Sequence, residues 1–203
     1  LQLYEQGKLD IDAPVSLYIP EFLEGGVRPD PKDEEVKAAD RETITVRHLL
    51  THQSGLPPGI YLSEQDFWGH EEGVSRAARI GLIERPGIRF RYSDVNFVLL
   101  GEIVRRVSGQ SLDSYVDEHF YGPLKMNDTG FLPLVPVQLR IAPTTKITGY
   151  GLIRGDVHDP TARRMQGVAG HAGLFSTAHD VAAMVRMLMA GGSAGKRQLL
   201  SRG

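Results

Sequence analysis

The residues best placed to do chemistry lie between Phe90 and Phe97. Tyr92, Asp94 and Asn96 put a phenol, a carboxylate and an amide just before the strongest helical pattern in the chain. A tyrosine held there can exchange protons if nearby cations lower its pKa from about 10. Asp94 or Asn96 can position that tyrosine or a substrate. The same residues also read as an ordinary helix N-cap beside one packed tyrosine. A second segment, Gly167 to Thr177, surrounds His171 with glycine and small residues such as Ala172. Such a backbone lets a ligand or another chain segment approach closely.

Other patterns carry less. His48 and His52 stand one helical turn apart, the spacing of a zinc-binding pair, but the intervening residues are Leu49, Leu50 and Thr51. The glutamate of an H-E-x-x-H site is absent, so hydrogen bonding to local backbone is the reading adopted, and no metal ligand is nominated. Ser193 falls within a G-x-S-x-G pattern and also within S-x-x-K, with Lys196. Both motifs need serine at the start of a helix. Here the serine follows a helix in a glycine-rich loop, so a chance match is expected.

Several elements must position these groups. Thr45 caps a helix with Val46, Leu49 and Leu50 on one side, closed by Gly55 and Pro57. Asp66 to Ile83 is partly helical and stops at Pro86-Gly87. The spacing of Phe97, Leu100, Val104 and Val107 predicts a helix from Val95 to Val107, capped by Ser93 or Asp94 and ended by Gly109. A further helix spans Leu112 to Phe120 and stops at Gly122-Pro123. Residues 130–160 read as loops with short strands. A last helix starts after Ser176 or Thr177 and reaches Gly191, with Asp180 in a capping-box position. Residues 10–44 read as loop-rich, with a solvated excursion from Asp30 to Asp40.

Composition narrows the function classes. The 203 residues carry 23 Lys plus Arg against 25 Asp plus Glu, a net charge of -2, which argues against a nucleic-acid binder. No apolar run reaches the roughly 18 residues that a membrane-spanning helix needs. Cysteine is absent, which excludes disulfides and thiol nucleophiles and fits a reducing or an oxidising compartment.

Taken together, the segments resemble the serine β-lactamase-like family: class C β-lactamases, low-molecular-weight penicillin-binding proteins and related esterases. The resemblance rests on Ile44 to Pro57, on Tyr92-Ser93-Asp94 at the family's Y-x-N motif, on Tyr121 to Phe131, on Gly170 to Asp180 and on the opening Leu1 to Pro14. Val157-His158-Asp159 and the Gly-His-Ala-Gly run resemble a penicillin-binding or esterase-like branch.

The resemblance implies an α+β, β-lactamase/transpeptidase-like fold, of which residues 1–203 form one partial domain, mainly the helical subdomain. It implies a serine in S-x-x-K that forms an acyl-enzyme with an ester, a β-lactam or a D-amino-acid peptide. Tyr92 takes the catalytic proton-relay role. Asp94, which stands where the family more often has Asn, together with Asn96, His171 and Ala172, falls on the substrate-binding side. No cofactor is implied. The partner expected is a small-molecule or peptidoglycan-peptide substrate, with no nucleic acid. A periplasmic or secreted location follows from the resemblance alone. The S-x-x-K motif is expected upstream of Leu1 and the third motif downstream of Gly203. The 203 residues alone are therefore expected to be inactive and, with apolar surfaces uncovered, hard to keep soluble. A non-catalytic binder of cell-wall peptide with the same fold is the alternative.

Overall fold

The computed structural model describes residues 1–61, 66–147, 149 and 151–202. Gly203, the end of the expected partial domain, lies outside them.

Short helices dominate. Helix α1 (Gln2–Glu5) ends ahead of Gly7, whose φ of +68° is the left-handed stop that its glycine permits. Residues 10–44 form single 3-10 turns at Val15–Leu17, Pro20–Glu24 and Ala38–Thr43. Helix α2 (Val46–Leu50) is capped by Thr45, whose Oγ1 accepts from the His48 N–H. Helix α3 (His70–Arg79) occupies the middle of the stretch expected to be partly helical. Helix α4 (Asp94–Ser108) is the longest and ends at Gly109 in the left-handed conformation.

Two details depart from expectation. Helix α5 (Leu112–Val116) continues through a π turn at Asp117–Tyr121 into α6 (Gly122–Leu124). Gly122-Pro123 therefore opens the last turn rather than stopping the helix. Pro123 stands within the first two residues of α6, after the Gly122 N–H has bonded back to the Asp117 carbonyl across the π turn. Asp180 does not complete a capping box. Its N–H donates to the Thr177 hydroxyl, while its carboxylate accepts from the Asp128 N–H and the Thr129 hydroxyl, both at 2.9 Å.

The remainder is sparse. Helix α7 (Val135–Gln138) precedes a hairpin of β1 (Thr145–Ile147) and β2 (Gly151–Ile153), with Thr145 opposite Ile153. Helix α8 (Pro160–Arg164) is capped by Asp159, and α9 (Ala178–Met189) by Thr177. A small hairpin pairs β3 (Ser193–Ala194) with β4 (Arg197–Gln198).

Helix α4 is the hub. It packs against α1, α2, α3 and α5 and buries Val95, Val98, Leu99 and Ile103. Two buried charges brace this core. Glu102 accepts from Arg105 at 2.7 and 2.8 Å and also pairs with Arg106 and His70. Arg41 donates to the carbonyls of Phe22, Ile80 and Ala78 and stacks 4.0 Å from the Phe22 ring centroid. Burial lowers its pKa to about 10. By contrast, α9 leaves Val181, Val185, Leu188 and Met189 exposed at helical spacing, one apolar stripe open to solvent.

Candidate active site

The first turn of α4 is held by the loop that follows α2. His52 adopts a left-handed backbone with φ +56°, so its carbonyl and ring both face the Arg91–Asn96 segment. Its carbonyl accepts from the Arg91 N–H, and its Nδ1 accepts from the Ser93 N–H at 3.1 Å and lies 3.2 Å from Asn96 Nδ2. Its ring packs against Phe90, Tyr92 and Phe97, with the Tyr92 centroid at 4.7 Å. Ser54 Oγ donates to Asn96 Oδ1 at 2.6 Å. Ser93 Oγ donates to the Pro57 carbonyl at 2.6 Å, and the Asp94 N–H to Pro58 at 2.7 Å. Ser93 therefore forms the N-cap position without a side-chain bond to the helix.

This clamp leaves Tyr92 60% exposed on the surface. Its surroundings are acidic. The Asp94 carboxylate, by charge and by hydrogen bond, and the more distant Asp159 raise the Tyr92 pKa above its usual value. The described residues thus push the phenol in the direction opposite to activation by cations.

Asn96 departs from its expected place. It is fully buried, and its amide is used by Ser54 and His52. It therefore supports the clamp instead of offering an amide to substrate. Asp94 stays partly exposed beside Tyr92.

The glycine-rich segment closes onto α4 from the other side. A Cβ at Gly170 would lie 2.0 Å from the Phe97 carbonyl, and one at Gly101 would lie 3.2 Å from Gly170 N. The close approach that the glycines allow is thus taken up by α4 itself. It sets His171 against Asp159, with Nε2 to Oδ1 at 2.8 Å and the imidazole side chain only 2% exposed. Burial works to raise the Asp159 pKa, but hydrogen bonds from His171 and the Ala162 N–H hold it below the usual value. One donor atom each from Asp94, Asp159 and His171 lies within 4.8 Å of the others. Ala172 is partly buried against the core. Asp159 is the residue that sequence reasoning left without a role; Asp159-Pro160 at a helix start was its signal.

The remaining candidates are structural. His48 Nδ1 accepts from the Thr45 N–H at 3.1 Å, while His52 grips the α4 entry, so the two rings serve different contacts. Ser193 lies in a hairpin, not at a helix start, and its hydroxyl donates to Gln198 Oε1. Beyond Asp159, a cavity of about 780 Å³ is walled by Phe131, Leu134, Ile141, Val157, His158 and Phe175.

The β-lactamase family model matches residues 1–202. The chain belongs to the β-lactamase family. It is 33% identical over 213 residues to the N-acetylmuramyl-L-alanine amidase of Bacillus subtilis (strain 168), covering 95% of this chain and 46% of that protein. A protein of Escherichia coli (strain K12), provisionally named a D-alanyl-D-alanine carboxypeptidase, is 33% identical over 221 residues, covering 98% of this chain and 49% of its own length. Among solved structures, the octameric penicillin-binding protein homologue from Pyrococcus abyssi superposes with a TM-score of 0.67 at 25% identity, over 99% of this chain and 43% of that one. The chain spans about half the length of the curated relatives it matches. The fold is β-lactamase/transpeptidase-like, and the described residues form a mostly helical part of it.

Proposed function

We propose that the complete protein is a serine hydrolase that opens an ester, a β-lactam or a D-amino-acid peptide through an acyl-enzyme. The serine hydroxyl adds to the carbonyl, its proton passes through Tyr92 to the leaving group, and water then hydrolyses the ester formed. The observation that carries this reading is the exposed Tyr92 at the start of α4, packed on the His52 ring while His52, Ser54 and Pro57 fasten the neighbouring Ser93 and Asn96. The S-x-x-K serine and lysine would come from outside these residues. Such a lysine ammonium would offset the carboxylates of Asp94 and Asp159 that now raise the Tyr92 pKa.

The test is hydrolysis of a chromogenic short-chain ester by the complete protein. Tyr92→Phe should lower the rate by about 10²–10⁴-fold, the range for a lost proton-transfer group. Full activity in that variant removes Tyr92 from the mechanism. The same acidic surroundings favour one other reading, a non-catalytic binder of cell-wall peptide. A fluorophosphonate probe separates the two, since only a hydrolase with an activated serine is labelled covalently.

A further inference from the structure

We propose that residues 131–154 form a docking surface for an anionic lipid bilayer. This segment combines two properties that a fold seldom leaves together on its outside. Its charged residues are Arg140, Lys146 and Arg154, with no Asp or Glu, although the chain as a whole has a net charge of -2. It also exposes Leu132, Leu134, Val135, Leu139 and Leu152, each more than half open to solvent and Leu139 at 87%.

The structure brings the two properties onto shared faces. Val135 opens α7 and Leu139 follows four residues later, so their side chains lie along one side of that turn. In the hairpin Lys146 stands opposite Leu152. Cross-strand partners project from the same face of a two-stranded ribbon, so an ammonium and an apolar group sit side by side, both exposed. Arg154 follows the second strand, and its guanidinium donates to the Ile141 carbonyl, which ties the hairpin to the chain just past α7. Arg140 pairs with Asp128, whereas among the described residues neither Lys146 nor Arg154 forms an ion pair. Neither α7 nor the hairpin packs substantially against another helix or strand of the described residues.

A bilayer suits this surface better than a further layer of protein does. Such a layer would cover the leucines, but it would also bury Lys146 beside Leu152, and a buried ammonium needs a carboxylate or a full set of acceptors. The stripe on α9 is the contrast. Val181, Val185, Leu188 and Met189 repeat at helical spacing, which is the pattern of a helix that packs on protein. At a bilayer surface the leucines enter the acyl boundary, while the lysine and arginines stay level with the phosphates and lay their stems along apolar surface. Anionic headgroups supply the negative charge that residues 131–154 lack. The contact is peripheral, since no helix of the described residues is long and apolar enough to cross a membrane.

The test uses the complete protein and sedimentation with large vesicles, made of phosphatidylcholine alone or of phosphatidylcholine with phosphatidylglycerol. Binding should appear with the anionic vesicles, fall as salt is raised, and be weak with phosphatidylcholine alone. Each cation near such a surface is worth roughly fivefold in partitioning, so Lys146→Gln with Arg154→Gln should weaken binding about 25-fold. Leu134→Ser with Leu139→Ser should weaken it at least about tenfold. Lys196→Gln with Arg197→Gln, in the β3–β4 hairpin, should leave it unchanged. All the replaced side chains are exposed, and circular dichroism checks that each variant is folded. Vesicle binding is measured without substrate, so its outcome is independent of the hydrolase reading. Absence of binding to the anionic vesicles overturns the proposal. So does equal binding to both kinds of vesicle, or binding that either double change within residues 131–154 leaves intact. Self-association that the leucine changes abolish, with no vesicle binding, would assign the surface to a second copy of the chain and overturn the proposal as well.

Discussion

Replacing Glu102 with glutamine should unfasten the helix that presents Tyr92 and Asp94, and the loss should depend on pH in a defined way. Glu102 is fully buried. Burial alone would raise its pKa, but hydrogen bonds from His70, Arg105 and Arg106 win, and the pKa falls from 4.5 to about 2. At about 1.4 kcal/mol per unit, that fall is worth roughly 3 kcal/mol. The figure is an upper one, because Arg105 and Arg106 are partly open to solvent and screened. The sign follows from the depressed folded-state pKa. The stabilisation is present in full above pH 4.5 and drains away as the pH falls toward 2. Glu102→Gln should therefore cost about 2–3 kcal/mol at pH 7 and progressively less below pH 4.5. Urea unfolding followed by far-ultraviolet circular dichroism at pH 7, 5 and 3 measures both slopes. Carboxylates remote from Glu102 cancel in the difference, whereas Glu21, which shares Arg106 with Glu102, also responds to the loss of its charge. A cost that is the same at pH 7 and pH 3, or below about 0.5 kcal/mol at pH 7, would refute this account of the helix anchor.

Other perturbations probe the site from its two sides. Gly170→Ala puts a methyl group 2.0 Å from the Phe97 carbonyl, so the loop must lift from α4. A loss of about 1–3 kcal/mol is expected, read as a fall in Tm, and an unchanged Tm would show that the contact is not close. Asn96→Ala strips the partner from Ser54 and His52, at a cost of about 1–3 kcal/mol by urea unfolding. The double variant with Ser54→Ala should cost less than the two single losses combined, and strict additivity would place the residues in separate networks. Gly55→Ala combines a φ of +76° with a Cβ 2.0 Å from the Glu84 carbonyl. It should be the more damaging of the glycine changes, and a soluble, fully folded Gly55→Ala protein would count against the tight turn.

The boundaries of α2, α4 and α9 were legible in the sequence because caps and stops act locally; α7 and α8 were not. Thr45, Thr177 and Gly109 fix their helix boundaries through bonds and backbone preferences within a few residues. The apolar spacing of Phe97, Leu100, Val104 and Val107 predicted the helix, but those four are only partly buried; the buried face carries Val95, Val98, Leu99 and Ile103. The motifs around Tyr92 and His171 were visible as unusual clusters, but their roles were not. Whether Asn96 faces substrate or the interior depends on His52 and Ser54, more than forty positions away in the chain. Whether the glycines of the 167–173 run receive a ligand or a helix depends on the approach of α4. The upward Tyr92 pKa shift comes first from Asp94, two residues along the chain, and only the smaller contribution of Asp159 depends on folding. Periodicity and capping are encoded residue by residue; the meeting of Asp94, Asp159 and His171 is a product of packing and is decided only when the helices close on one another.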